Sequence, residues 1–149
     1  PPEQINQLAP ATIVERIGIE FTEVGDDFLK ARMPVDERTV QPARILHGGA
    51  SVVLAETLGS VASYLCIDPE AKTAVGLEVN ANHVRAVRDG YVTGTVTALH
   101  LGTTTHIWQI QINDARERLV CVARLTMAIL ARRNPPAVHE TDAAVDHVT

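Results

Sequence analysis

A chain of 149 residues has room for one ordinary domain and not comfortably for two. Its 46% apolar content supplies a packed core and excludes wholesale disorder. Thirteen basic against eighteen acidic residues leave a formal charge of −5, which excludes general nucleic-acid binding but leaves room for a local basic spot that holds one phosphorylated ligand.

The N-terminal Pro1-Pro2-Glu3-Gln4-Ile5 has no basic region ahead of an apolar run, so no secretory signal is expected. Residues 3–15 read as a short amphipathic helix or two helical turns broken by Pro10. Ile17 to Val24 and Phe28 to Val35 are rich in strand formers, and Gly25-Asp26-Asp27 between them is hairpin chemistry. Residues 36–46 have no clear period and read as a loop. From His47-Gly48-Gly49 the pattern changes, and Ala50 to Cys66 predicts a helix that Asp68-Pro69 stops. Thr73–Arg85, Tyr91–Leu101, Thr104–Asn113 and Leu119–Leu130 follow as four strands. In the last of them Leu119, Cys121, Ala123, Leu125, Met127 and Ile129 share one face. From Arg132 the chain turns Pro-rich and polar, so residues 132–149 read as a mobile tail. There are no internal repeats.

The longest apolar stretch, Ala50 to Ile67, carries Ser51, Glu56, Thr57, Gly59, Ser60 and Ser63, too polar for a lipid-facing span, so no membrane partner is expected. Cys66 and Cys121 each lie in an apolar run and read as reduced core residues of a cytoplasmic protein. Neither has a second Cys or His at zinc spacing, so no metal is expected. The element order, with one long helix apolar nearly all round, predicts an α+β fold in which a curved antiparallel sheet wraps that helix.

Glu56 is the informative residue, because a carboxylate amid apolar helix residues is costly to bury unless paired. Ser60 and Ser63 follow at four and seven residues, on the same face. Two readings stand: the stripe faces solvent or another subunit, or Glu56 works in a partly dry cleft with Ser60 positioning a water or substrate atom. Gly48-Gly49, just after His47, lets the backbone approach a ligand where a helix N-terminus offers free N–H groups, suited to a phosphate or to a carbonyl oxygen gaining charge. Gly48 and Glu56 are roughly 12 Å apart along one helix, so a small reacting group can touch both only if they come from different chains. Joint chemistry therefore requires a dimer.

The run Met33-Pro34-Val35-Asp36-Glu37-Arg38-Thr39 leading to Gln41-Pro42, then Leu46-His47-Gly48-Gly49-Ala50 with Glu56 nine residues after His47, resembles hotdog-fold acyl-CoA thioesterases. Gly76 to Arg85, Leu99-His100-Leu101-Gly102 and Trp108-Gln109-Ile110 extend the likeness, which covers residues 5–131. The branch is the phenylacetate-pathway-like, aryl-CoA one with a glutamate in the helix, nearest to the naphthoyl-CoA hydrolases of menaquinone synthesis and then to the proofreading thioesterases of enterobactin synthesis. The resemblance implies a single hotdog domain over 1–131 and active sites at a dimer interface, with dimers pairing into tetramers. It implies Glu56 as nucleophile or general base, Gly48 N–H polarising the carbonyl, Gln41 and His47 positioning the thioester, and Ser60 orienting water. Gly49, Arg85, Arg88, Thr103 and Thr104 are implied at the coenzyme A mouth, and Asn80 and His83 as structural or acyl-pocket residues. Coenzyme A is then part of the substrate and no cofactor is needed; an acyl or aryl carrier protein is the other possible thiol.

Arg124 reads as a phosphate contact or an interface ion pair. His100 and His106 read as satisfied strand histidines, Trp108 as core, and Glu78 ranks below Glu56. One departure stands out: the near relatives read Phe-Gly after Gln-Pro, whereas here Ala43-Arg44 follows Gln41-Pro42, which re-lines the acyl pocket. The rivals are a hotdog dehydratase, for which no Asp–His pair is found at the helix, and a non-catalytic module binding acyl-CoA or an acyl carrier protein.

Overall fold

The computed structural model, which describes residues 1–133, opens with two helical turns, α1 (Pro2–Asn6) and α2 (Ile13–Arg16). The Asn6 side chain accepts from Phe21 N–H at 2.8 Å and donates to its carbonyl at 3.0 Å, fastening α1 along β1 (Glu20–Val24). Gly25 N–H donates to the Phe28 carbonyl at 2.8 Å to close the hairpin into β2 (Phe28–Pro34). Then come α3 (Gly48–Leu65), β3 (Lys72–His83), β4 (Tyr91–Leu101), β5 (Thr105–Asn113) and β6 (Leu119–Ala131).

The six strands form one antiparallel sheet in the order β1-β2-β4-β5-β6-β3. Strand β3, next in the chain after the helix, therefore crosses to the far edge and pairs with β6 alone, leaving its other edge open. The helix lies on one face of this sheet. Leu54, Ala55, Leu58 and Ala62, at the three- and four-residue spacing of one helical face, are buried against it. Full burial of a leucine contributes roughly 1.5–3 kcal/mol, so Leu54 and Leu58 alone hold the helix firmly. Gly59 permits the close approach: a Cβ there would stand 2.3 Å from Leu125 Cδ2. On β6, Cys121, Ala123, Leu125, Met127 and Ile129 do share the buried face, while Leu119, at the strand's start, is exposed.

Expectations change at Cys66, at Ser63 and at the start of the tail. Cys66 is exposed, because it is the C-cap of α3 and lies beyond the last turn that meets the sheet. Ser63 does not continue a stripe with Glu56 and Ser60 but is fully buried, its Oγ accepting from Trp108 Nε1 at 2.8 Å and lying 3.0 Å from His106 Nδ1. The core role of Trp108 and the satisfied state of His106 are as read from the sequence. Of the tail, Arg132 is tied down: its N–H donates to the Ala71 carbonyl at 2.8 Å and its guanidinium to the Pro69 carbonyl at 2.6 Å. The rest of the expected tail, 134–149, lies outside the described residues. No helix among the described residues is long and apolar enough to cross a membrane.

Candidate active site

The segment before α3 is tightly stitched. Thr39 Oγ1 donates to the Pro34 carbonyl at 2.7 Å, His47 N–H to the Thr39 carbonyl at 2.8 Å, and Leu46 N–H to the Val87 carbonyl at 2.7 Å. Asp36 accepts from Arg38, whose hydrogen bonds hold the Asp36 carboxyl below the usual carboxylate range. These bonds fix the approach to the helix tip. There His47 is the N-cap, its Nδ1 accepting from Gly49 N–H at 2.8 Å. That bond takes up the Nδ1 lone pair. It also occupies Gly49 N–H, so the neighbouring Gly48 N–H is left with no protein acceptor among the described residues.

Gly48 faces a cavity of about 440 Å³ that Gln41, Ser51, His83 and Arg85 also line. The His83 ring lies directly over Gly48, where a Cβ would be 3.0 Å from its Nε2. His83 is registered opposite buried Cys121, which directs it toward the helix side of the sheet. Gln41 Oε1 accepts from Ala43 N–H at 2.7 Å, so the amide's carbonyl end is anchored in the turn. Within that turn Arg44, the departure noted in the sequence, has φ of +63°, a left-handed conformation that favours glycine.

Glu56 lies on the exposed side of α3 and makes no hydrogen bond or ion pair among the described residues. Its carboxylate rests on β3: a Cβ on Gly76 would be 2.7 Å from Glu56 Oε1. Ser60, one turn on, is half-buried with Oγ 3.8 Å from Met127 Sδ. Glu56 and Ser60 thus share one shelf, and Gln41, Gly48, His83 and Arg85 share another, the two separated by roughly 12 Å of helix.

The other expected residues are spread further. Asn80 pairs with exposed Arg124 on the sheet face away from α3, and its amide donates to both Glu78 oxygens at 3.1 and 3.2 Å. Arg88 lines a second cavity of about 330 Å³ with Arg116 and Arg118, adjoining the first through Ala86. Arg118 there is engaged: its backbone N–H and guanidinium hold Asp114 below the usual carboxylate range. Thr103 and Thr104 sit in the β4–β5 turn, at the end of the sheet opposite His83 and Gly48. Among the described residues no group of three or more His, Cys, Asp or Glu is placed to hold a metal.

The Thioesterase superfamily model matches residues 43–121, which carry the Gly48 tip, Glu56 and Gly76. The chain belongs to that superfamily. This hotdog thioesterase is 55% identical over 128 residues to the 1,4-dihydroxy-2-naphthoyl-CoA hydrolase of Escherichia coli, covering 86% of this chain and 93% of that protein. It is 48% identical to the proofreading thioesterase EntH of Cronobacter turicensis over the same shares, 86% and 93%. A crystal structure of a mutant thioesterase from Pseudomonas aeruginosa superposes with a TM-score of 0.88 at 51% identity, covering 89% of this chain and 95% of that one. The protein is a thioester hydrolase with one long helix packed on a six-stranded antiparallel sheet.

Sequence reasoning misses two neighbours of the site. Ser51, buried at the cavity wall, follows Gly48 by less than one turn, and helix periodicity would have brought it in. Gly76 interrupts a strand pattern, a signal for a bulge or a close approach, and both occur: the β3–β6 register shifts between Gly76 and Glu78.

Proposed function

We propose that this thioester hydrolase acts on acyl-CoA thioesters with aromatic acyl groups, the class that includes the 1,4-dihydroxy-2-naphthoyl-CoA named for its E. coli relative. Glu56 of one copy attacks the thioester carbonyl, or activates the water that does, while the Gly48 N–H of a second copy polarises the carbonyl oxygen. Ser60 orients the water or intermediate, and Gln41 and His47 position the thioester. Coenzyme A leaves as a thiolate, which needs little acid assistance because thiols are already fairly acidic.

The observation that carries this reading is the Gly48 N–H and the Glu56 carboxylate, each without a hydrogen-bond partner among the described residues, on one helix and too far apart to serve one carbonyl. Two antiparallel copies of α3 make the site whole, twice over. The open edge of β3, with Val75 42% and Leu77 63% exposed, supports burial of that edge against a second copy. Arg85 and Arg88, in adjoining cavities and in no ion pair among the described residues, supply positive charge for the coenzyme A phosphates, with Gly49 at the tip beside them. Thr103 and Thr104 join from another copy. Dimers associate further into tetramers, and residues 1–131 form the one catalytic domain.

The test is thiol release from benzoyl-CoA by wild type and Glu56→Gln. The variant should fold and dimerise normally while turnover falls about 10³-fold. Near-full turnover would overturn the reading. Offering the same acyl group on a carrier protein separates the two thiol portions, with coenzyme A expected to be preferred.

A further inference from the structure

Gly76 is not required by its backbone. Among the described glycines only Gly18 and Gly90 have positive φ, so at Gly76 an alanine could adopt the same conformation. What fills the space of the missing side chain is the glutamate: within 4 Å of a Cβ there lie Glu56 Oε1 at 2.7 Å, Glu56 Cδ at 3.8 Å and Met127 Sδ at 3.9 Å. The bulge between Gly76 and Glu78 reshapes β3 at this point, and bulges commonly re-aim groups beside active sites.

We infer that Gly76 is a positioning residue, a bare patch of strand that holds the Glu56 carboxylate in its attacking place. This deepens the proposed function and rests on the role of Glu56 given there. A methyl group at position 76 meets the far end of a flexible side chain, so the carboxylate swings aside and the strand does not have to move. The expected signature is a loss of rate without a loss of fold.

The experiment compares wild type, Gly76→Ala, Glu56→Ala and the double variant on benzoyl-CoA, with thermal unfolding of each. Gly76→Ala should lower kcat by about 10²-fold, the scale of a misplacement of about 1 Å, with KM nearly unchanged and the melting temperature held. In the Glu56→Ala background, with no carboxylate to displace, the same change should cost nothing further. A wild-type kcat in Gly76→Ala overturns the inference. So does a rise in KM alone, which would mean contact with substrate, or an equal loss in both backgrounds. Should Gly76→Ala fail to fold, recovery of folding in the double variant supports the contact, and continued misfolding overturns it. If Glu56→Ala itself keeps full activity, the role of Glu56 fails, separately from that of Gly76.

Discussion

Beyond Ser60 the polar groups of α3 that enter the core are met on every side: Ser63 Oγ accepts from Trp108 at 2.8 Å and meets His106 Nδ1 at 3.0 Å. His106 Nδ1 and Trp108 Nε1–H find their partner in that one hydroxyl, and the Trp108 and His106 rings meet edge-on, 6.0 Å between centroids. In the N-terminal half of the same helix, among the described residues, Gly48 N–H has no protein acceptor and the Glu56 carboxylate rests on a glycine without a donor. A folded core cannot carry unmet polar groups cheaply, so those in it are bonded to one another and specify packing. Groups left unmet beside a cavity or on an open face have their hydrogen-bonding capacity free for a substrate. Bond saturation, more than residue type, separates the structural serine from the chemistry of the glutamate.

The strongest way to break this contrast is Ser63→Ala. It leaves Trp108 Nε1–H and His106 Nδ1 without partners in a dry core, and orphaning such groups costs about 2–4 kcal/mol together. Urea unfolding should show that loss, while kcat and KM of the folded enzyme on benzoyl-CoA stay at wild-type values. A stability change below about 0.5 kcal/mol, the scale of an ordinary surface substitution, would show that the network is not a structural device.

A smaller effect comes from the same network through pH. Burial of His106, 4% exposed, and then the charges of His100 and Lys72, hold its pKa below the ordinary histidine value. The unfolded chain therefore takes up the proton first as pH falls. Stability from this group is complete above the ordinary value of about 6.5 and declines as pH drops from there toward the lower folded pKa. Melting temperatures recorded between about pH 5 and 8 should fall on the acid side. The fall should be shallower in His106→Gln, and an unchanged slope in that variant would assign the acid sensitivity elsewhere.

How much of this is legible in the sequence follows the same division between local and long-range causes. The long helix, the hairpin at Gly25 and the strands from Thr73 onward are set by period and turn residues, so they read directly. Glu56 stands out because a carboxylate breaks an apolar pattern, and the Gly48 tip because adjacent glycines open a helix. The strand order does not read, since nothing local says that β3 crosses to β6 at the far edge. A helical wheel groups Ser63 with Glu56 and Ser60 because it shows angle and not depth, and depth depends on where β5 places Trp108 and His106. Cys66 reads as core for the same reason. The fit of Gly76 to Glu56 joins residues twenty apart through a bulge that only pairing with β6 creates.

The smallest predicted effect sharpens the contrast at the open end. Arg44 sits in the turn next to Gln41 with φ of +63°, and a left-handed conformation costs an L-residue about 1–2 kcal/mol. Arg44→Gly removes that strain but loosens the unfolded chain, which takes back about 0.4–1 kcal/mol. Relief of strain outweighs the added freedom of the unfolded chain, so a net gain of about 0.5–1 kcal/mol is expected. The turn should survive, because its bond from Arg44 N–H to the Gln41 carbonyl, 2.8 Å, needs only the backbone. Chemical denaturation decides the sign. A gain places stored strain at the entrance to the cavity, where polar groups are left free, and none of it in the saturated half of α3. A loss would mean that the Arg44 side chain contributes more than its backbone costs, and the entrance would then be held as firmly as the core.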